Sequence, residues 1–158
     1  MTVPSDISGE YPLGPALEFL QRLWQFNHAL EKLSSQMERR LGVTAQQRLI
    51  VRCVGKYPGM TAGLLATLLH VDPGTVSAAL RRMEDKGLLK RRADPRDGRR
   101  ISLGLTAKGR RLDRSAKGTV EGAVEQLLDT ASVQDIATAL AVLGRLTTLF
   151  GEETRESP

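Results

Sequence analysis

DPGTVSAALRRMEDKGLLKRRADPRDGRRISLGLTAKG, residues 72–109, holds the pattern that decides the fold. Asp72-Pro73 is a strong helix start, an N-cap acceptor followed by proline at the first helical position. Val76, Ala79, Leu80 and Met83 then recur at helical spacing as an inner face. Thr75, Ser77, Ala78, Arg81, Arg82 and Asp85 point away from it, and Gly87 ends the helix. Leu89 to Ala93 leads into the turn Asp94-Pro95-Arg96-Asp97-Gly98, and Ile101, Leu103 and Leu105 alternate on the way back. That is a hairpin. Upstream, Thr61 caps a short helix expected to bury Leu64, Leu65, Leu68 and Leu69. Only His70-Val71-Asp72 separates the two helices, which makes a tight helix-turn-helix. With a basic hairpin behind it, this unit is a winged helix.

Outside this unit the chain reads as helix. Leu13, Leu17, Leu20, Trp24, Asn27, Leu30, Leu33 or Ser34, Met37 and Leu41 lay an apolar stripe that Gly42 stops. A small domain cannot cover so long a stripe alone, so a partner subunit is expected. Thr44 and Gln47 form a capping box and open a helix expected to bury Leu49, Ile50, Cys53, Val54 and Tyr57, with Arg48, Arg52 and Lys56 opposite. Pro58-Gly59 breaks it. Thr106 caps a fifth helix carrying Leu112, Ala116, Val120, Val124 and Leu127, and Ser132 with Asp135 opens a sixth through Phe150. The expected organisation is a flexible arm (1–12), an N-terminal dimerisation helix (13–43), a winged helix-turn-helix (44–105), C-terminal dimerisation helices (106–151) and a polar tail (152–158). The fold class is mainly α with a small β-hairpin wing.

Charge and composition narrow the function. Residues 72–111 carry 12 Lys/Arg against 5 Asp/Glu, a surplus of +7, whereas the rest carries 11 against 13. A surplus confined to one segment is the footprint of a polyanion-binding surface. Cys53 is the only cysteine, so no intrachain disulfide forms and a reducing compartment fits. The first ten residues lack the apolar core of a signal peptide, and no run of about 18 apolar residues is evident. A cytoplasmic protein without a membrane partner is expected. No phosphate-binding glycine loop, nucleophile elbow or H-E-x-x-H is present, so no enzyme is expected.

The same segment suits duplex DNA. Thr75 and Ser77 are small enough to bring the helix backbone close to base edges, and Arg81 and Arg82 reach phosphate or guanine. Arg91, Arg92, Arg96, Arg99 and Arg100 cluster on and beside a turn that protrudes, which suits the narrow, negative minor groove. Asp94 and Asp97 either pair with these arginines to aim one of them or serve as ordinary turn formers.

Residues 61–109 resemble the DNA-binding region of the MarR-type (multiple-antibiotic-resistance) regulators. The matching features are D-P-x-T-V-S at the start of the recognition helix, E-D-K-G-L-L before the wing, D-P-R-D-G-R at its tip and L-T-x-K-G after it. Helices in the expected order extend the likeness over 13–150. The resemblance implies a homodimer joined by its terminal helices, with recognition helices in successive major grooves and wings in the adjoining minor grooves. By position it implies Thr75 and Ser77 in the major groove, Arg96 and Arg99 with Asp94 and Asp97 at the wing tip, and Thr61 on a phosphate. Ala78 and Gly74 depart from the family's polar residues. Ala78 can still meet a thymine methyl.

Relatives of this kind commonly take small aromatic or phenolic anions, which places a candidate effector site at Trp24, His28 and Arg52. An aromatic at helical spacing also reads as core, and a lone histidine as an ordinary helix side chain. Cys53, on an apolar face, reads as packing rather than a redox sensor. No cofactor or metal is expected, because His28 and His70 lie far apart and one cysteine completes no usual ligand set. The expected function is a sequence-specific, dimeric regulator, most simply a repressor, on a pseudo-palindromic site. The alternative is an architectural DNA-binding winged helix or a protein-contact module.

Overall fold

Among the described residues, seven helices and one hairpin follow in the order α1 (Gly14–Leu41), α2 (Ala45–Lys56), α3 (Ala62–Leu69), α4 (Pro73–Asp85), β1 (Leu89–Ala93), β2 (Ile101–Leu105), α5 (Ala107–Leu112), α6 (Val120–Thr130) and α7 (Val133–Glu156). The computed structural model describes residues 12–95 and 97–156, with the side chains of 155 and 156 excepted. The expected arm, apart from Pro12, and Arg96 lie outside the described residues.

Capping residues set most of the boundaries. Thr44 Oγ1 accepts from Gln47 N–H at 3.2 Å while Gln47 Oε1 accepts from Thr44 N–H at 3.3 Å, a complete capping box. Thr61, Asp72 and Thr106 cap α3, α4 and α5 through Leu64, Thr75 and Gly109 N–H. Asp72 bonds at 2.9 Å. His70 turns the chain between α3 and α4 with φ +50°, a left-handed conformation that histidine tolerates better than most residues. The wing is antiparallel in the register Leu89↔Leu105, Arg91↔Leu103, Ala93↔Ile101.

The chain divides into two compact units after Val120. In the first, Ile50, Val54, Leu65, Val76, Leu80, Met83, Leu88 and Leu103 form one buried cluster drawn from α2, α3, α4 and the hairpin. Each fully buried side chain of this size contributes about 1.5–3 kcal/mol. The α5 helix packs in this unit, so the expected boundary at Thr106 falls inside it. In the second unit, α6 buries no residue at all. Leu127, Leu140 and Leu143 are exposed, and Val133 is 86% exposed.

Four expectations change. On α2 the buried face is Gln47, Arg48, Ile50, Val51 and Val54, whereas Leu49 and Tyr57 are exposed. Arg48 is inside because its guanidinium serves the end of α5, as described below. On α3 only Leu65 and Ala66 are buried; Leu64 and Leu68 face out, since eight residues present one narrow stripe to the core. The expected fifth helix is two helices, α5 and α6, broken over residues 113–119. Finally, α7 runs through Gly151 to Glu156 where a tail is expected. Its stretch Val133–Thr154, with a mean hydropathy of 1.2, is long and apolar enough by composition to cross a membrane. Gln134, Asp135 and Arg145 interrupt the apolar run and conceal it in the sequence.

Candidate nucleic-acid interface

The α4 helix presents two outward rows. Ser77 and Arg81 stand one turn apart, and Thr75, Ala78 and Arg82 follow the neighbouring row. Thr75, Arg81 and Arg82 are exposed, and Ser77 and Ala78 are half-buried. The Asp72 carboxylate occupies the space where a side chain at Gly74 would start, 2.9 Å from an ideal Cβ. Thr75 Oγ1 also leans on that carboxylate at 3.4 Å. Arg82 borders a cavity of about 530 Å³ shared with Glu38, Gln46 and Lys86.

The link into the wing is anchored at both ends. Leu88 N–H bonds Met83 O at 2.9 Å and Gly87 N–H bonds Glu84 O at 2.8 Å, closing the helix with Gly87 at φ +68°. Lys86 Nζ reaches back to Gly42 O and Gln47 Oε1, both at 3.0 Å. On the return side Thr106 Oγ1 donates to Gly87 O at 2.6 Å, and Lys108 Nζ to Lys86 O at 2.8 Å. Gly109 lies against the Leu88 backbone, where an added Cβ would fall 2.0 Å from Leu88 O. The L-T-x-K-G sequence therefore pins the base of the wing to the end of α4. Each of its residue types has a steric or bonding reason.

Neighbouring arginines of the wing have different surroundings. Arg91 bonds Glu84 through Nε at 3.1 Å, which ties the strand to α4. Arg92 projects from the other face of the hairpin, beside Gly104. Arg99 and Arg100 are exposed. Among the described residues the guanidinium groups of Arg81, Arg82, Arg99 and Arg100 make no ion pair. At the tip, Asp97 Oδ1 accepts from the main-chain N–H of Arg99 at 3.0 Å, while Asp94 N–H bonds Arg100 O and Arg100 N–H bonds Asp97 O. The bond described for Asp97 thus holds the turn through the backbone, as turn-forming aspartates do, rather than through a guanidinium. Thr61 is half-buried and its hydroxyl caps α3.

The three candidate effector residues are differently placed. Trp24 is 67% exposed and His28 lies one turn further along α1, also exposed. Arg52 is held by Asp113, through Oδ1 and the main-chain O, each at 3.0 Å. Neither the cavity at Arg82 nor a second one of about 380 Å³ at Gly55, Arg92 and Gly104 is lined by these residues. Burial pushes the Cys53 thiol up, against a smaller opposing influence of Lys56. Among the described residues no group of three metal-binding side chains comes together.

Two side chains that sequence reading did not connect to this architecture, Arg40 and Arg48, bond main-chain carbonyls at the end of α5 and in the break that follows it. Gly55 is the sequence signal for this contact. A glycine inside α2, seven residues after Arg48, marks a close approach. An added Cβ there would fall 2.0 Å from the Asp113 carboxylate.

Residues 43–101 match the family model of the MarR family. HTH-type transcriptional repressor Rv2887 of Mycobacterium tuberculosis is 33% identical over 88 residues, covering 56% of this chain and 63% of the relative. The chain thus spans less than two thirds of that relative's length. Among solved structures, Streptococcus pneumoniae FabT in complex with DNA superposes with a TM-score of 0.61 at 27% identity, over 87% of this chain and 96% of FabT. The S. aureus MepR–DNA complex gives 0.65 at 23% identity, over 84% and 95% respectively, a likeness of fold.

Proposed function

We infer that this chain, whose residues 43–101 match the MarR family model, is a sequence-specific DNA-binding transcriptional regulator that acts as a homodimer and represses. The observation that carries this reading is the contrast among the arginines. Arg91 is neutralised by Glu84 and holds the wing, whereas Arg81, Arg82, Arg99 and Arg100 stay exposed on the recognition helix and the wing. Exposed guanidiniums on two elements anchored to each other are suited to one polyanionic partner with two grooves. Thr75, Ser77 and Ala78 would meet base edges, Asp94 and Asp97 would shape the tip that carries Arg96 and Arg99, and Thr61 would stand at a phosphate.

A second copy of the chain accounts for the uncovered apolar surface. In α1, Leu17, Phe19, Trp24 and Phe26 are exposed, as are Leu127, Leu128, Leu140 and Phe150 of α6 and α7. Such surface marks an interface. The same cover explains the apolar length of α7 without a bilayer, and a cytoplasmic location fits a DNA-binding role. Two-fold symmetry puts half-site centres about 10 base pairs apart.

Selection of bound duplexes from a random pool tests the reading. Enrichment of a pseudo-palindrome with that spacing is the expected result. Recovery of random sequence, or of one isolated half-site, overturns it. Relief of repression by a small aromatic ligand rests on the family resemblance alone. A thermal-shift screen of phenolic anions tests it, and no rise in Tm at saturating concentrations counts against it.

A further inference from the structure

We infer that Arg40, Arg48 and Arg52 form a latch on residues 112–118, and that Arg48 is a positioning residue that sets the half-site spacing read by the dimer. This rests on the DNA-binding reading above. The α5 helix stops at Leu112. The Leu112 carbonyl at its end is taken by Arg48 of α2, and carbonyls of the residues that follow are taken by guanidinium groups from α1 and α2. Arg48 Nη1 donates to Leu112 O at 2.8 Å, and its Nη2 donates to Arg114 O. Arg52 holds Asp113 through Oδ1 and the main-chain O. Arg40 Nη2 donates to Lys117 O at 3.1 Å and to Gly118 O at 2.7 Å.

Arginine suits this task because its planar fork presents several N–H donors in fixed directions, whereas lysine offers one point charge. Arg48 is 2% exposed. A buried cation is tolerated only with its donors satisfied, and the negative end of the α5 dipole supplies acceptors. Glycine permits the close approach. Gly118 has φ +70°, and an added Cβ would fall 2.8 Å from Arg40 Nη1. Thr119 is buried and bonds Ala116 O at 2.6 Å. The chain is thus anchored at successive points just before it leaves the first unit at Val120. In a two-fold reader the stiffness of that exit decides how strictly the two recognition helices keep their separation.

The test uses the full chain and its selected duplex, together with duplexes in which one base pair is added or removed between half-sites. Arg40→Gln and Gly118→Ala are the primary variants, because both residues are exposed, and Arg48→Lys accompanies them. The wild type is expected to lose about tenfold or more in affinity on altered spacing, or 1.4 kcal/mol. The variants should narrow that loss to about threefold while keeping the dimer mass, with faster amide exchange confined to 113–119. Variants that keep the wild-type spacing penalty overturn the positioning role. Unchanged exchange in all three overturns the latch itself. A wild type that binds its selected site but is indifferent to spacing overturns the positioning role and leaves the regulator reading standing, whereas a wild type that selects no duplex overturns that reading, and the exchange data alone then judge the latch.

Discussion

Arg91 and Arg99 both belong to the basic cluster of the wing, yet only one has its charge spent. Glu84 neutralises Arg91 at 3.1 Å, so its removal should loosen the wing without changing the number of phosphates neutralised. Arg99→Ala should lower DNA affinity and reduce the slope of log K against log salt by about one, and Arg91→Ala should leave that slope unchanged. Anisotropy titrations across salt concentrations separate the two, and an unchanged slope for Arg99→Ala removes its phosphate role. Cys53 makes a second test at this scale. Because burial raises its pKa, little thiolate exists near neutral pH and alkylation should be slower than for a free thiol, accelerating as pH rises. Labelling at the rate of an unhindered thiol at pH 7 would contradict this. Asp72 and its cap were legible in the sequence because the bond spans three residues. Arg48 was not, since its acceptors at Leu112 and Arg114 lie more than sixty residues downstream.

Among the elements, α4, the hairpin and the starts of α2 and α5 follow from local signals, whereas the buried face of α2 and the end of α5 do not. The D-P start, the alternation of Ile101, Leu103 and Leu105 and the glycine at 87 each act within a few residues, so pattern and structure agree there. The inward face of α2 is rotated toward Gln47 and Arg48 because α5 and its following loop supply acceptors for a cation. The same guanidinium groups end α5 early, where the apolar spacing from Leu112 to Leu127 suggests a continuous helix. Gly109 illustrates how tightly α5 is seated. Gly109→Ala places a Cβ 2.0 Å from Leu88 O and should cost about 1–3 kcal/mol by overpacking, measured as a lower urea midpoint with unchanged slope. A stability equal to wild type would show that α5 can shift away from Leu88 without loss.

For the whole molecule, the uneven distribution of charge and of uncovered apolar surface carries the account. The basic surplus lies in 72–111, on α4, the wing and α5, while most of the exposed leucines and aromatics lie on α1, α6 and α7. The basic segment suits a polyanion, and the apolar faces of each unit suit cover by a second copy, as proposed above. The length of the α1 stripe already indicated that one small core could not cover it. The apolar span of α7 was harder to read, because its polar interruptions conceal it and its register past Gly151 has no local marker. The most direct measurement of the central claim is the mass, by sedimentation equilibrium, of the complex with the selected duplex. Two chains of 17.3 kDa per duplex, with a dimer of the same mass persisting free of DNA, is the predicted result. One chain per duplex, or a free monomer at micromolar concentration, would contradict it.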